Sequence, residues 1–304
     1  MTVLEAIQKS TEFLGKKNVE SPRLQTELLL AHLLNMPRMK LYLNFDRILS
    51  PAETDGLREL VKRRGLREPL QHIVGSTSFC GFEILVRRSA LIPRPETELL
   101  AELGWQFLLE RQQQNTNPGA GIPTALDFGT GTGCIAVALA AKCPAAKITA
   151  ADISGEALTL ARENAAKNNV GERIDFIQMD GLASLNSGSA GESVQQHPFD
   201  LIISNPPYIP SAEIATLEPE VRDFDPRPAL DGGADGLDFY RLLAAQAKGL
   251  LKPHGKIMLE FGDGQAGAIK SIFENENWIV EAVKEDYSQR ARILIARTND
   301  ISHQ

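Results

Sequence analysis

The tetrapeptide Asn205-Pro206-Pro207-Tyr208 has the residue types and spacing needed to hold a planar amino group. The side-chain oxygen of Asn205 and the backbone carbonyl of Pro206 can each accept a hydrogen bond from a substrate –NH2. The prolines lack N–H groups and restrict φ, and Tyr208 offers a flat face for stacking. A nitrogen whose lone pair is delocalised reacts only when it is held and oriented beside an electrophile. We therefore predict catalysis by Asn205, Pro206 and Tyr208, and substrate binding by all four residues.

A glycine-rich turn precedes this motif, with glycines at alternate positions from Gly129 to Gly133. This G-x-G-x-G spacing lets the main chain approach a ligand and is expected to direct backbone N–H groups and a helix N-terminus toward it. The dinucleotide fingerprint needs its third glycine one position later, where this chain has Cys134. The turn is predicted to bind a nucleoside cofactor. Its predicted contact residues are Asp127, Gly129, Thr130, Gly131, Thr132 and Gly133.

Two further carboxylates, Asp152 and Asp180, follow the next two predicted strands. Asp152 is placed to accept hydrogen bonds from both hydroxyls of a ribose, and Asp180 from the exocyclic amine of an adenine. Each residue taken alone is equally well explained as a helix cap. Together with the glycine turn they favour a nucleoside site, and Gly181 and Asn205 are predicted to contact the same cofactor.

Asp127 favours one cofactor over another. A carboxylate beside a glycine turn repels phosphates, yet it can hold an amino group. S-adenosylmethionine has no phosphate, carries a sulfonium and ends in an α-amino acid, so it is the expected cofactor and S-adenosylhomocysteine the expected product. NAD is the second candidate. No metal is expected, because the methylated nitrogen can lose its proton to solvent or to a weak acceptor.

The elements that must position these residues alternate along the chain. Apolar runs separate helical stretches in a repeated order of strand, helix and strand, which predicts an α/β fold with a Rossmann-like, doubly wound, mostly parallel seven-stranded sheet. Ligands bind beyond the carboxyl ends of such strands, where the predicted site residues fall. The predicted strands are Ala125–Phe128, Lys147–Asp152, Ile174–Asp180, Phe199–Ser204, Lys256–Glu260, Ile279–Val283 and Ile293–Ala296.

The first part of the chain has a different pattern. Capping boxes at Thr2 and Ser50 and helical leucine spacing predict a small helical bundle. Short extended pieces between His72 and Leu91 predict a β-hairpin, helical periodicity returns from Thr97 to Glu110, and residues 111–124 have the composition of a surface loop. The predicted domains are a helical substrate-docking domain at 1–72, a hairpin linker at 73–90 and a catalytic domain at 91–304.

Composition narrows the function classes. The 304 residues have a net charge of −7, divided into +3 for residues 1–75 and −10 for the remainder, which argues against a generic nucleic-acid binder. The basic run Lys62-Arg63-Arg64 is interpreted as a solvated helix face. Three cysteines without metal-ligand spacing suit a reducing compartment, and no segment has the pattern of a secretion signal or membrane span. We expect a cytoplasmic monomer with no membrane partner.

Two charged residues near the predicted pocket allow two interpretations each. Glu260 either lines the pocket or caps the next turn. Arg94, between two prolines, either holds the domain junction or faces the cofactor. The sequence alone leaves both questions open.

Several segments together resemble the HemK/PrmC-type release-factor glutamine methyltransferases. The resemblance runs from the helical N-terminus to Ala296, and Gly181 departs from it because family members often have a bulky residue there. The matching segments are P-L-Q-H-I-V-G at residues 69–75, L-I-P-R-P-E-T-E at 91–98, the turn at 127–133, D-I-S at 152–154, N-P-P-Y at 205–208, P-A-L at 228–230 and D-G-L at 235–237.

The resemblance implies N5-methylation of the glutamine in the Gly-Gly-Gln loop of class I peptide-chain release factors, which modulates translation termination. It also implies that the helical domain helps to dock this protein substrate. Three alternatives remain open. They are a glutamine methyltransferase for a ribosomal protein, an adenine-N6 DNA methyltransferase, which the −10 catalytic region disfavours, and a non-catalytic adaptor, which would not need the intact tetrapeptide.

Overall fold

The computed structural model of the protein describes residues 1–114, 121–182 and 199–299. Its contacts divide the described chain into two compact units. The first consists of Met1–Thr77 together with the separate segment Glu218–Phe224, and the second contains the rest. The domain boundaries after residues 72 and 90 stay predictions.

The first unit is helical, as its capping signals predict. Thr2 and Ser50 form complete capping boxes with Glu5 and Glu53, in which each side chain bonds the backbone N–H of the other residue. Buried aliphatic side chains such as Leu14 form the core between the helices. The helices of its N-terminal part are α1 (Val3–Lys16), α2 (Pro22–Leu33), α3 (Arg38–Tyr42), α4 (Pro51–Gly65) and α5 (Leu70–Val74), and the segment Glu218–Phe224 adds a short helix at Pro219–Arg222.

The segment Glu218–Phe224 is tied to this unit by ion pairs. Arg64 donates to Glu220 at 2.6 Å, and Arg67 donates to Glu220 at 2.6 Å and to Glu218 at 2.8 Å. The interpretation of the basic run as a solvated face is therefore wrong for Arg64, which is buried. Its partner is more than 150 residues away in sequence, so no local pattern indicates the pairing.

A two-stranded sheet follows the first helices in the chain, formed by β1 (Ser76–Phe79) and β2 (Phe82–Leu85). The extended pattern predicted from His72 is wrong over its first residues, which belong to α5. Pro69 starts this helical turn by accepting a hydrogen bond from Ile73, and Gly75, with φ of 87°, ends it.

The second unit contains a seven-stranded sheet in the order β5-β4-β3-β6-β7-β9-β8. The pairs from β5 to β7 are parallel, and β9 is antiparallel to both of its neighbours. The predicted mostly parallel, doubly wound sheet is confirmed. Its strands are β3 (Thr124–Phe128), β4 (Lys147–Asp152), β5 (Ile174–Gln178), β6 (Phe199–Ser204), β7 (Leu251–Glu260), β8 (Trp278–Glu285) and β9 (Ala291–Thr298).

Helices cover both faces of this sheet, because alternate strand residues point to opposite sides. Ala125 and Leu201 belong to one buried cluster, which includes residues of α6 and α7, whereas Leu126 and Ile202 belong to a second cluster with residues of α9 and α10. The helices of this unit are α6 (Pro95–Gln114), α7 (Cys134–Lys142), α8 (Gly155–Lys167), α9 (Asp238–Gln246) and α10 (Ala266–Asn275).

Predicted boundaries in this unit are wrong at several places. The strand β7 begins at Leu251, before the predicted start at Lys256, because Leu251 pairs with Phe199 across a register shift. The helix α6 continues to Gln114, although 111–124 was predicted as a loop, because Arg111 is held by the buried carboxylate of Asp200 at 3.2 Å. The rest of that prediction lies partly outside the described residues. The strand β5 ends at Gln178, its last pairing partner for β4, so Asp180 follows the strand at a distance of two residues.

Among the described residues, no helix combines the length and apolar character that a membrane span requires.

Candidate active site

A cavity of about 310 Å³ lies at the carboxyl ends of the parallel strands in the second unit. Its volume is at the lower end of the range typical of small-molecule sites. Most of the residues predicted to bind cofactor or substrate line it, together with apolar side chains. The predicted residues in its wall are Gly129, Thr130, Gly131, Thr132, Asp152, Asp180, Gly181, Asn205, Pro206 and Pro207.

The glycine turn connects β3 to α7 in a conformation that favours glycine. Gly129, Gly131 and Gly133 have φ values of 71°, 54° and 78°. The expectation that its N–H groups face the ligand is wrong for most of them. The N–H groups of Gly129 and Thr130 donate to Ala151 O, that of Gly131 to the Asp152 carboxylate and that of Gly133 to Thr130 O. A turn that uses most of its own N–H groups in this way suits a cofactor that lacks phosphates, which argues against NAD.

Asp127 lies behind the turn and is fully buried, outside the cavity wall. One carboxylate oxygen accepts from Thr130 Oγ1 at 2.6 Å and from the Ala136 N–H at 3.1 Å, whereas Oδ1 has no partner among the described residues. Burial raises the pKa of Asp127 to about 7, and nearby Asp152 adds to the rise. A cationic ligand in the cavity would favour the ionised form, which fits a sulfonium-bearing cofactor.

Asp152 and Asp180 both line the cavity, but they are held differently. The two oxygens of Asp152 accept from the N–H groups of Gly131 and Ser154, each at 2.9 Å, and each retains a second lone pair for a ribose hydroxyl. The helix α8 has Ser154 as its N-cap, so capping does not account for Asp152. Asp180 is exposed and accepts no hydrogen bond from the described residues, and the neighbouring Gly181 has φ of 71°.

The tetrapeptide begins directly after β6. The side-chain nitrogen of Asn205 donates to Thr97 Oγ1 at 3.0 Å, on the first turn of α6. This contact leaves the amide oxygen of Asn205 as the end available to a ligand. No described residue donates to that oxygen or to the Pro206 carbonyl. Two acceptors therefore remain spare in one wall of the cavity.

Tyr208 occupies a different place from its three neighbours. It is absent from the cavity wall and packs against the buried cluster between the sheet and α9 and α10. Burial raises the pKa of its phenol, and Glu260 adds to the rise. The Tyr208 carbonyl accepts from Gln265 at 2.9 Å, which fixes the end of the tetrapeptide. Substrate stacking by Tyr208 stays a prediction.

Several residues near the cavity were missed or left open by the sequence. Arg94 lines it and donates to the buried carboxylate of Asp225 at 2.6 Å, so it faces the cofactor side of the second unit. Thr97 also lines the cavity, and its only sequence signal is its place within the R-P-E-T-E stretch of the resemblance. Apolar walls come from Met179 and Phe239, which no motif indicated.

Glu260 neither lines the cavity nor caps a helix. Its side chain is 3% exposed, and its Oε2 has no partner among the described residues. Burial raises the pKa of Glu260 to about 7, and hydrogen bonding from the side chains of Thr97 and Asn205 opposes the rise. The backbone carbonyl of Glu260 accepts from Tyr240 at 2.8 Å.

Four features define a class of protein: the sheet order, the glycine turn whose N–H groups are mostly bonded within the protein, the acidic residues after consecutive strands, and the cavity. It is a class I S-adenosylmethionine-dependent methyltransferase. The residues present fit this cofactor, since Asp152 retains lone pairs for a ribose and the buried Asp127 has an unpartnered oxygen beside the turn.

Comparison with known proteins narrows the class. Residues 5–75 match the family model of the PrmC N-terminal domain, and residues 102–217 match the methyltransferase small domain. The release factor glutamine methyltransferase of Geobacter sulfurreducens is 43% identical over 272 residues, which cover 90% of this chain and 88% of that protein. The enzyme of the same name from Chlorobaculum tepidum is 39% identical and covers 96% of both chains. The chain belongs to the release factor glutamine methyltransferase family.

A solved structure supports the fold alone. The hMettl16 catalytic domain superimposes with a TM-score of 0.53 at 15% identity, covering 80% of this chain and 82% of that one. At this identity the likeness concerns the arrangement of helices and strands and carries no information about substrate.

Proposed function

We propose that the protein transfers a methyl group from S-adenosylmethionine to the side-chain N5 of the glutamine in the Gly-Gly-Gln loop of class I peptide-chain release factors. The reaction releases S-adenosylhomocysteine and modulates translation termination. The single observation that carries this proposal is the pair of spare acceptors in the cavity wall, the Asn205 side-chain oxygen and the Pro206 carbonyl.

A glutamine carboxamide has two N–H hydrogens, and the two oxygens match them in number and type. Holding both hydrogens keeps the amide nitrogen in one orientation and favours the positive charge that develops on it as the new N–C bond forms. The prolines keep the acceptors rigid, because Pro206 and Pro207 have no N–H to compete for them. The methylated nitrogen then loses a proton to solvent.

The bound cofactor supplies an electrophilic methyl group. Asp152 is positioned to hold its ribose and Asp180 its adenine amine, while Gly129, Thr130, Gly131, Thr132 and Gly181 bring the main chain against it. Asp127 supports the turn from behind and presents an unpartnered carboxylate oxygen. The roles given to these residues rest on their positions around one cavity.

The proposed partner is a release factor because the relatives that match over nearly the whole chain have that specificity in their names. The N-terminal unit, which matches the PrmC N-terminal model, is proposed to dock this protein substrate. A negatively charged catalytic region disfavours DNA as the substrate. We further infer that the protein acts as a monomer and that it acts in the cytoplasm. The three free cysteines suit the reducing conditions of that compartment.

The substrate assignment is tested with S-adenosylmethionine labelled in its methyl group. The protein is incubated separately with a class I release factor, with the release factor in which the loop glutamine is replaced by alanine, with ribosomal proteins and with DNA. Label is expected only in the unmodified release factor, and mass spectrometry should place it on the loop glutamine. Label in DNA or ribosomal protein, or equal label in the alanine variant, would falsify the assignment.

A further inference from the structure

We propose that Thr97 and Glu260 are positioning residues that hold the Asn205 carboxamide with its nitrogen toward the protein interior and its oxygen toward the substrate. This inference rests on the proposed function, because it explains how the spare oxygen of Asn205 is kept available. Neither residue is proposed to touch the reacting atoms.

The sheet register and the start of α6 bring the three residues to one place. The strands β6 and β7 are parallel, with Ser204 opposite Leu259, so Asn205 and Glu260 leave adjacent strands at the same level. The first turn of α6 brings Thr97 to the same place, where its Oγ1 accepts from Asn205 Nδ2 at 3.0 Å. Thr97 and Glu260 are each 3% exposed, so water does not compete for these contacts.

When Glu260 is ionised, the chemistry of the neighbours favours one orientation of the amide. An ionised carboxylate accepts hydrogen bonds and donates none, whereas a threonine hydroxyl does both. When the Thr97 proton points to Glu260, its lone pairs remain for the Asn205 nitrogen. In the proposed arrangement, hydrogen bonding therefore runs in one direction, from Asn205 to Thr97, as observed, and from Thr97 on to Glu260. A flipped amide would place its oxygen against Thr97 Oγ1 and the buried carboxylate, an unfavourable contact in a low-dielectric interior.

Glu260 has the features of a group that orients a neighbour at a cost in stability. Its Oε2 is buried without a partner among the described residues. Among the described residues, no cationic side chain is in hydrogen-bond contact with Glu260. Burial has the largest effect on its pKa and raises it, the charge of Glu96 raises it further, and the charge of Arg292 lowers it. Burying a carboxyl with an unpaired oxygen disfavours folding. Replacing a residue that only supports the fold lowers the free energy of unfolding. Replacing Glu260 is expected to leave the free energy of unfolding unchanged or to raise it.

The test compares Thr97→Val, which keeps the shape but removes the hydroxyl, with Thr97→Ser, which restores it. Thr149→Val is the matched control, since Thr149 is a buried threonine in β4 outside the cavity wall. With a release factor as substrate, Thr97→Val should lower kcat by about 10- to 100-fold, the range seen for residues that orient a functional group. KM for the release factor and affinity for S-adenosylmethionine should change by no more than about twofold, because a residue that orients Asn205 affects the reaction step rather than binding.

Thr97→Ser should recover most of the wild-type kcat, and Thr149→Val should retain it. A Thr97→Val enzyme with wild-type kcat, or one whose loss equals that of Thr149→Val, overturns the proposal. Glu260→Gln provides a second route, because it removes the acceptor-only charge without changing size. Glu260→Gln should lower kcat while the free energy of unfolding stays equal or rises. If the free energy of unfolding falls together with kcat, Glu260 has a purely structural role and the proposal is overturned.

Orientation is measured directly by NMR on protein labelled with ¹⁵N-asparagine, in which the side-chain NH2 signal absent from Asn205→Ala identifies Asn205. This NH2 group should exchange its hydrogens with solvent slowly in the wild type and faster in Thr97→Val. Equal exchange in both proteins contradicts the inference. If the wild type fails to methylate release factors, the proposed function fails, whereas the exchange comparison still decides the orientation of Asn205.

Discussion

Gly236 packs so closely against Tyr208 that a Cβ atom on it would overlap the Tyr208 carbonyl oxygen. Gly236 also has φ of 77°, which L side chains rarely adopt. The nearby Gly232 has a similar constraint, since its Cβ would lie 2.8 Å from the Pro207 carbonyl. The loop containing both glycines therefore supports the main chain of the tetrapeptide from outside the cavity.

Gly236→Ala is expected to displace Tyr208 and, through it, the acceptors upstream. A displacement of about 1 Å at a reacting group can cost about 100-fold in rate, so kcat should fall by up to that factor. Affinity for S-adenosylmethionine should remain near the wild-type value, because Gly236 lies outside the cavity wall. The control is Gly267→Ala, at a helical glycine with open space around it, which should stabilise the protein by about 0.5–1 kcal/mol and leave kcat unchanged. Full activity of Gly236→Ala would show that the loop does not support the tetrapeptide.

Asn205→Ala tests the assignment of the first acceptor. The variant removes the side-chain oxygen but leaves the glycine turn and Asp152 in place, so turnover should be lost while cofactor binding is nearly intact. Rates are measured with labelled methyl transfer and binding by calorimetry. A variant with the wild-type rate removes Asn205 from the mechanism.

Removing the carboxylate of Asp152 is expected to lower cofactor affinity more than removing that of Asp180. Asp152→Asn replaces one of the two acceptor oxygens by an NH2 group, so the hydrogen bond from either Gly131 or Ser154 is lost together with one acceptor for the ribose. This variant should weaken S-adenosylmethionine binding by about 10- to 100-fold. Asp180→Asn should have a smaller effect, because this exposed side chain accepts no hydrogen bond from the described part of the chain. The exposed Asp175→Asn serves as the control in calorimetric titrations. Equal affinities of the wild type and Asp152→Asn would contradict the ribose assignment.

Local patterns in the sequence predicted much of this architecture. The bounds of β4 and β6 agree with the predicted runs at both ends, because each is a buried apolar segment that ends at a polar residue. The capping boxes at Thr2 and Ser50 were also predictable, since all of their hydrogen bonds join residues three positions apart. The positions of Asp127 and Asn205 relative to the strand ends follow from the same periodicity.

Contacts between distant segments were not predictable in this way. The bonds from Asn205 to Thr97 and from Arg94 to Asp225 join residues more than 100 positions apart, and they depend on how α6 packs on the sheet. The internal use of the N–H groups in the glycine turn was missed for a related reason. The acceptors for Gly129, Thr130 and Gly131 belong to β4, and spacing within the turn does not show which strand lies beside it.

The buried Asp127 predicts a pH dependence of stability in the cofactor-free protein. Burial raises its pKa from the ordinary 3.8 to about 7, so between these values the folded protein holds a proton that the unfolded chain has lost. The free energy of unfolding contributed by this group is therefore highest below pH 4 and falls as the pH rises to 7, with a slope of at most about 1.4 kcal/mol per pH unit. Asp127→Asn should decline less between pH 5 and 7 in urea unfolding, whereas Asp175→Asn should keep the wild-type slope. Parallel curves for the wild type and Asp127→Asn would be incompatible with a protonated Asp127.

Asp200 offers a variant that separates stability from chemistry. Its buried carboxylate lies at the start of β6 and accepts from Lys252 at 2.7 Å, from Arg111 at 3.2 Å and from the Thr124 N–H at 2.9 Å. Burial acts to raise the pKa of Asp200, but these partners outweigh it and hold the pKa below its usual value. Asp200→Ala would leave two cationic side chains without their shared partner and should cost about 3–5 kcal/mol of stability.

The cavity lies at the other end of the same strand, so Asp200→Ala protein that remains folded at low temperature should bind S-adenosylmethionine with nearly wild-type affinity. Chemical denaturation measures the first effect and calorimetry the second. Asp200→Asn keeps an acceptor for Thr124 and should lose less stability than the alanine variant. A large loss of cofactor affinity in folded Asp200→Ala would mean that the two ends of β6 are coupled, because strain at its first residues would then reach Asn205.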